Sequence, residues 1–95
     1  MAIGVLHKFP GGTKAQYDAV TKALGVGPGS MPAGEIFHAA GETDDGFVIF
    51  AIDESMDTWV AFRDGILMPA LQQGIEGGFT SPPEETIIEI HNLVR

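Results

Sequence analysis

The stretch that decides the fold is EIFHAAGETDDGFVIFAID, residues 35–53, near the middle of the chain. It divides at Thr43-Asp44-Asp45-Gly46, where the Asp-Gly pair supplies the positive φ angles of a tight hairpin turn. Apolar side chains are frequent on both sides of this turn, as is typical of strands that contribute to a core. We therefore predict two antiparallel strands, Glu35 to Glu42 and Gly46 to Asp53.

Upstream of the hairpin the sequence predicts one strand and one helix. Ala2 to Phe9 is short, apolar and partly β-branched, which is typical of a buried strand. Thr13 can cap the helix that follows, because its hydroxyl can accept hydrogen bonds from the first helical turn. Apolar residues at helical spacing carry this helix to Leu24, and the residues 25–34, rich in glycine and proline, predict a loop.

Downstream of the hairpin the sequence predicts a second helix and a last strand. Ser55 is placed to cap the helix, and Trp59 begins its apolar stripe. Pro69 lies inside this helical pattern, and because it lacks a backbone donor it should kink the helix near Met68. After a loop, the isoleucine-rich segment Glu85 to Val94 predicts the last strand.

The predicted order of elements is β-α-β-β-α-β, which fits one domain over the 95 residues of the chain. Right-handed crossovers and the central hairpin restrict this order to a four-stranded antiparallel sheet. Both helices then lie on one face of the sheet, which is the ferredoxin-like arrangement of the α+β class.

The residue pattern of the third strand predicts that the sheet face without helices is also covered. It carries Phe47, Ile49 and Ala51 on one side and Val48, Phe50 and Ile52 on the other. An antiparallel sheet with one face in water should alternate apolar with polar residues, and this strand does not. We therefore expect the face without helices to pack against a second copy in a homodimer.

Composition excludes several classes of function. Thirteen acidic residues against five basic ones give a net charge of −8, which repels phosphate backbones and anionic membranes. The chain has no cysteine, so disulfides and thiolate chemistry are excluded. No apolar run is long enough to span a membrane, and the first residues do not resemble a signal peptide, so we expect a cytoplasmic protein without nucleic-acid or membrane partners.

Several motifs together resemble a known group of proteins. They are the run from His7 to Thr13, the turn at residues 43–46, and Asp53-Glu54-Ser55 followed by Trp59 and Phe62. In this combination the chain resembles, over nearly its whole length, the small dimeric α/β-barrel proteins of the antibiotic-biosynthesis-monooxygenase-like group. The resemblance implies that two sheets pair into a barrel and that each subunit holds a small-molecule cleft between sheet and helices.

The reactions of that group are diverse. Its members include cofactor-independent quinone-forming monooxygenases, haem-degrading enzymes, isomerases, dehydratases and proteins without known activity. The haem-degrading members are implied to use an Asn on the first strand and a His on the second helix. Neither is present here, although Trp59 fits a third position of that set. We therefore expect no cofactor.

Three histidines, His7, His38 and His91, are the candidate catalytic bases. Imidazole is the side chain best suited to proton transfer near neutral pH, although each of the three could instead be a structural residue. His7 is the first choice because it lies near a strand end, before the Pro-Gly-Gly turn. Glu89 is two residues from His91, so a carboxylate–imidazole pair is possible there. No two histidines share an element at ligand spacing, so no metal site is expected.

Four residues are candidates for ligand binding. Trp59, Phe62 and Phe37 could stack on a flat aromatic ligand, or could be ordinary core residues. Arg63 could clamp a substrate carboxylate or enolate, or could form a surface ion pair with a neighbouring acidic residue.

The leading hypothesis is an enzyme that acts on an aromatic or polyketide-like small molecule, in the manner of a cofactor-independent monooxygenase. A base would remove a phenolic or α-keto proton, and the carbanion would react with oxygen inside an apolar pocket. The first alternative is a cyclase, isomerase or dehydratase that uses the same base without oxygen. The second is a ligand-binding dimerisation module without catalytic activity.

Overall fold

A computed structural model describes residues 1–25 and 31–94, and its elements follow the predicted order. The predicted loop at residues 25–34 lies partly outside the described residues. The strands are β1 Ile3–Pro10, β2 Glu35–Thr43, β3 Gly46–Asp53 and β4 Glu84–Glu89. The helices are α1 Lys14–Leu24, α2 Met56–Phe62 and α3 Met68–Gln73, with a π-helical turn, Arg63–Leu67, between the last two.

The four strands form one antiparallel sheet in the order β2-β3-β1-β4, which confirms the predicted ferredoxin-like fold. The pairing register sets the two faces of the sheet. Val5 lies opposite Ala51 and His7 lies opposite Ile49, so these four side chains share the face that the helices cover. The core on that face contains Ile3, Val5 and Trp59, each at most 5% exposed.

Local signals in the sequence begin and end α1 where predicted. The Thr13 hydroxyl accepts from the Gln16 N–H at 3.2 Å, and the Gln16 side chain accepts from the Thr13 N–H at 2.9 Å. This reciprocal pair is a capping box, which satisfies two donors that the helix itself leaves without partners. Gly25 ends the helix with a φ of 75°, a left-handed conformation that glycine adopts without strain.

The second helix is distorted just before Pro69, as its sequence predicts. Ser55 caps α2, and its hydroxyl accepts from the Thr58 N–H at 3.2 Å. The chain then widens into the π-helical turn, in which the Met68 N–H bonds to the Arg63 carbonyl five residues earlier. Pro69 follows in the first turn of α3. Backbone N–H groups in the first turn of a helix have no partner within that helix, so the missing N–H of proline costs little there.

The predicted last strand is too long. The sequence predicts it over Glu85 to Val94, but β4 ends at Glu89, which pairs with Ile3 at the beginning of β1. The edge strand therefore has no partner strand beyond that point, and a single hydrogen bond from the Ile90 N–H to the Ala2 carbonyl, 3.0 Å, continues the ladder.

The opposite face of the sheet, which we call the open face, carries apolar side chains and no helix in the described part of the chain. Phe50 packs across Gly4 there, so closely that a Cβ atom on Gly4 would lie 3.0 Å from Phe50 Cε1. Phe37 and Ile88 lie on the same face and are 40% and 39% exposed. No helix within residues 1–25 and 31–94 is long and apolar enough to cross a membrane.

Candidate functional site

A cavity of about 510 Å³ lies between the helix-covered face of the sheet and the helices. Its apolar wall comes from Val5, Leu24, Met31, Pro32, Ala39, Ala40, Ile49, Ala51, Trp59, Phe62 and Leu67. Its polar groups come from His7, Tyr17, Asp18, Thr21, Glu35, His38 and Asp53. A concave, mostly apolar space with a few polar groups is typical of a small-molecule site.

Three of the polar side chains form a hydrogen-bonded chain. The Tyr17 hydroxyl lies 2.6 Å from Nε2 of His38, and Nδ1 of His38 lies 2.6 Å from Oε1 of Glu35. An ionised carboxylate can only accept, so Nδ1 carries the proton and Nε2 accepts from the Tyr17 hydroxyl. Glu35 thereby fixes both the tautomer and the orientation of the imidazole.

An irregularity in β2 brings Glu35 to the same face as His38. Glu35 pairs with Asp53 and Phe37 pairs with Ile52, so the pairing register shifts by one residue between them. A β-bulge of this kind gives one strand an extra residue and redirects the side chains beyond it. Without it, two residues three apart in a strand would point to opposite faces.

Asp53 lines the cavity and is 3% exposed. Burial, together with repulsion from Glu35, raises the pKa of Asp53 to about 6, although a hydrogen bond from Thr58 opposes the shift. That bond is long, 3.4 Å from the Thr58 hydroxyl to Oδ1. Burial is also the largest cause that raises the pKa of Tyr17, and the charges of Glu35 and Asp18 add to it.

A second histidine–carboxylate pair is formed by His7. Its Nε2 atom lies 2.8 Å from Oε2 of Glu85, and the His7 side chain is 13% exposed. The Glu85 carboxylate holds the proton on Nε2, which leaves Nδ1 as the basic nitrogen of the ring. The imidazole also lies against Trp59, with 5.7 Å between ring centroids.

Trp59 combines a core position with an unmet polar group. The side chain lines the cavity and is 5% exposed, and its indole N–H has no hydrogen-bond partner among the residues that the structure describes. A buried donor without an acceptor costs free energy, so such groups are uncommon in folded proteins.

The structure brings together four of the residues singled out in the sequence. His7, His38, Trp59 and Phe62 all line the cavity. The other three lie elsewhere, and they are Phe37, Arg63 and His91.

Each of those three has a clear structural setting. Phe37 lies on the open face, edge to face with Phe50 at 6.1 Å. Arg63 forms an exposed ion pair with Asp64 at 3.0 Å, which is the alternative that the sequence left open for it. His91 is exposed beyond the end of β4, and no hydrogen bond joins it to Glu89, so the suggested carboxylate–imidazole pair does not form.

Sequence reasoning missed Glu35, Asp53 and the polar role of Tyr17. Glu35 faces the helices only because of the bulge, and neither the contact of the Tyr17 hydroxyl with His38 nor the burial of Asp53 has a local signal in the sequence. Within residues 1–25 and 31–94, no three histidine or acidic side chains are grouped so that they could hold a metal ion.

Comparisons with known proteins identify similar structures but no sequence family. No protein-family model matches the chain, and no curated protein matches it. Among solved structures, Rv0793 from Mycobacterium tuberculosis superposes with a TM-score of 0.71 at 15% identity, over 100% of both chains.

Two further structures bear names that refer to monooxygenases. A protein from Chloroflexus aurantiacus, named as an antibiotic biosynthesis monooxygenase, has a TM-score of 0.63 at 19% identity, covering 99% of this chain and 98% of its own. The monooxygenase ActVA-Orf6 of Streptomyces coelicolor, in complex with nanaomycin D, has a TM-score of 0.56 at 19% identity, covering 99% and 90%. The chain therefore has the ferredoxin-like fold of antibiotic-biosynthesis-monooxygenase-like proteins, as its sequence motifs suggested.

Proposed function

We propose that the cavity binds a multi-ring aromatic small molecule and catalyses its oxygenation without a cofactor. The observation that carries this proposal is the presence of two histidines, His7 and His38, each bound to a carboxylate, in the wall of one mostly apolar cavity. Its volume, about 510 Å³, suits a molecule of two to four fused rings. The likeness to a monooxygenase that is complexed with nanaomycin D supports the same class of ligand.

His7 is the base in this proposal. Both ring nitrogens of His38 are engaged, one by Tyr17 and one by Glu35. His7 uses Nε2 for Glu85, so Nδ1 remains to take a proton from the substrate. The Glu85 carboxylate then stabilises the imidazolium that forms, which is the usual contribution of an acidic partner to a catalytic histidine.

The proposed reaction balances with oxygen as the only co-reactant. His7 removes a proton from the activated carbon of a phenolic or keto substrate, and the carbanion adds O₂ to give a peroxide anion. The imidazolium returns its proton to that anion. The resulting hydroperoxide loses water, so the carbon that carried two hydrogens becomes a carbonyl. An apolar wall favours these steps because it keeps bulk water away from the carbanion.

Tyr17 and His38 have a different role in the proposal. The Tyr17 hydroxyl donates to His38, and its oxygen can still accept a hydrogen bond from a substrate hydroxyl. The chain Tyr17–His38–Glu35 therefore orients the substrate. This role is compatible with isomerase or dehydratase chemistry as well, so oxygen consumption decides between the reactions.

The experiment measures oxygen uptake with a hydroxyanthrone, a three-ring substrate whose oxidation gives the matching quinone. The proposal expects one O₂ consumed for each quinone formed, at a rate well above the background without protein. Conversion of the substrate without oxygen uptake would favour the cyclase, isomerase or dehydratase alternative. Binding with no conversion under air would favour the non-catalytic module, and either result would overturn the proposal.

We also propose that the protein is a homodimer formed through the open face. Phe37 and Ile88 are exposed there, and Phe50 and Val48 are only half-buried. When a second surface covers apolar side chains on one face of a sheet, their removal from water lowers the free energy of the assembly.

A further inference from the structure

We propose that the cavity selects aromatic ligands that are uncharged or cationic and rejects those that carry a carboxylate or a phosphate. The inference rests on the proposed function, because it specifies the ligand of the same cavity. It follows from the charges of the wall and from their burial.

The described wall of the cavity carries acidic side chains and no basic one. Asp18, Glu35 and Asp53 line it, whereas no Lys or Arg among the described residues does so. Asp18 lies near the surface, where its carboxylate is 2.7 Å from Nζ of Lys14. That exposed pair is compensated, so the selectivity must come from the other two carboxylates.

Glu35 and Asp53 are buried without a cation beside them. The Glu35 side chain is 7% exposed and its bonded partner is Nδ1 of His38, while Asp53 is 3% exposed and its partner is the Thr58 hydroxyl. Neither partner brings a permanent positive charge. Repulsion from Glu35 is already one cause of the raised pKa of Asp53, so the two carboxylates affect each other.

A ligand charge in this cavity would act on both carboxylates at close range. Interactions between charges are much stronger in a buried site than in water, because the effective dielectric constant is lower. A carboxylate or phosphate on the ligand would add a third negative charge to the pair. An ammonium group would offset their charge, and a phenol could donate a hydrogen bond to one of them.

Uncharged polar groups on a ligand are compatible with this wall. A phenolic hydroxyl brings no negative charge near Glu35 and Asp53, and it can donate to the Tyr17 oxygen, which lies in the same cavity wall. A hydroxylated aromatic ring therefore fits the charges of the wall.

The experiment compares three ligands with the same two rings at pH 7.5, each titrated calorimetrically: 2-naphthol, 2-naphthylmethylammonium and 2-naphthoate. We expect 2-naphthoate to bind about tenfold more weakly than 2-naphthol, or worse, since about 1.4 kcal/mol of repulsion suffices for that factor. We expect 2-naphthylmethylammonium to bind at least as tightly as 2-naphthol.

Variants locate the source of the preference. The double variant Glu35→Gln with Asp53→Asn should recover most of the lost 2-naphthoate affinity and weaken the ammonium ligand. The control Glu76→Gln removes a charge from an exposed residue outside the cavity wall and should leave the preference within about twofold. If the double variant does not fold, Asp53→Asn alone should shift both affinities in the same directions.

The outcomes separate this inference from the function on which it rests. Equal affinity for all three ligands, or the same change from Glu76→Gln as from the double variant, would overturn the charge selectivity and leave an aromatic-binding cavity intact. Failure of all three ligands to bind would overturn both the inference and the proposed function.

Discussion

Nδ1 of His38 lies 2.6 Å from Oε1 of Glu35, although the two residues are three apart in a β-strand. The contact exists because the bulge between Glu35 and Phe37 turns Glu35 to the face that the helices cover. The same contact links Glu35 to the Tyr17 hydroxyl through the imidazole. Glu35 should therefore influence two other groups in the cavity wall, Tyr17 and Asp53.

Tyr17 should report the charge of Glu35 directly. It is the only tyrosine in the chain, so its ionisation can be followed by ultraviolet absorbance without interference from another phenol. Burial and the charges of Glu35 and Asp18 raise its pKa above 10.0. The variant Glu35→Gln should lower that pKa towards the ordinary value, because one source of repulsion is lost. Glu76→Gln is the control, and an equal effect from it would contradict the proposed coupling.

Asp53 should make the fold less stable as the pH rises. Its pKa is about 6 in the folded protein against 3.8 for an ordinary Asp, so between these values the folded state holds a proton that the unfolded state has lost. Protonated Asp53 therefore contributes to the free energy of unfolding below about pH 4, and this contribution is lost as the pH rises through about 6. Asp53→Asn should relieve a cost on the order of 1–3 kcal/mol at pH 7.5 and little at pH 4.

Urea unfolding of the wild type and of Asp53→Asn at both pH values measures that difference. Asparagine keeps an acceptor for the Thr58 hydroxyl, so the comparison isolates the charge. A stabilisation of the same size at pH 4 and pH 7.5 would show that ionisation of Asp53 is not the cause.

His7 should be required for turnover and His91 should not. His7→Asn removes proton transfer near neutral pH and should reduce kcat by roughly 10² to 10⁴, with ligand affinity nearly unchanged. His91→Asn is the matched control, because His91 is exposed beyond β4 and outside the described cavity wall. Steady-state kinetics with the hydroxyanthrone, normalised to folded protein, gives the comparison. Equal activity of the two variants would exclude His7 as the base and make His38 the next candidate.

Trp59 should contribute more to binding than to proton transfer. Trp59→Leu removes stacking area from the cavity wall and should weaken binding of 2-naphthol by about tenfold. Because Trp59 is a core residue, the melting temperature should also fall. The folded fraction must therefore be measured alongside the affinity. Unchanged affinity per folded molecule would mean that Trp59 is only a core residue.

The open face should govern assembly. The wild type should scatter light as a dimer at micromolar concentration, and Phe50→Asp should give monomers or aggregates, because a charge in an apolar interface is costly. Gln72→Asp, an equally simple change at an exposed position of α3, should leave the dimer intact. A wild-type mass of 10.1 kDa in solution, that of one chain, would contradict the homodimer.

The topology could be predicted from the sequence because its decisive signals are local. The Asp-Gly turn, the caps at Thr13 and Ser55, and the position of Pro69 each act within a few residues. The end of β4 could not be predicted in this way. Its isoleucine pattern continues past Glu89, but the strand stops where its neighbour β1 begins, which is a property of the pairing.

The candidate site was predictable only in part for the same reason. His7 follows simple alternation from Val5, so its face could be inferred from the strand alone. Glu35 required knowledge of the bulge, since regular alternation assigns it to the face opposite His38. Asp53 is a polar residue at the end of a strand, a position that is usually solvated, yet in the folded protein it is 3% exposed and lies beside Thr58 of α2.

The π-helical turn determines which side chains of the second helix face the cavity. Phe62 and Leu67 are five residues apart and both line the cavity, whereas Ile66, four residues after Phe62, is 49% exposed. An ordinary α-helical turn would bring Ile66 to the wall in place of Leu67. Pro69 disfavours that alternative, because in an α-helix its ring would collide with the Gly65 carbonyl. One imino acid on the outside of the helix thereby determines which of two neighbouring aliphatic side chains shapes the cavity.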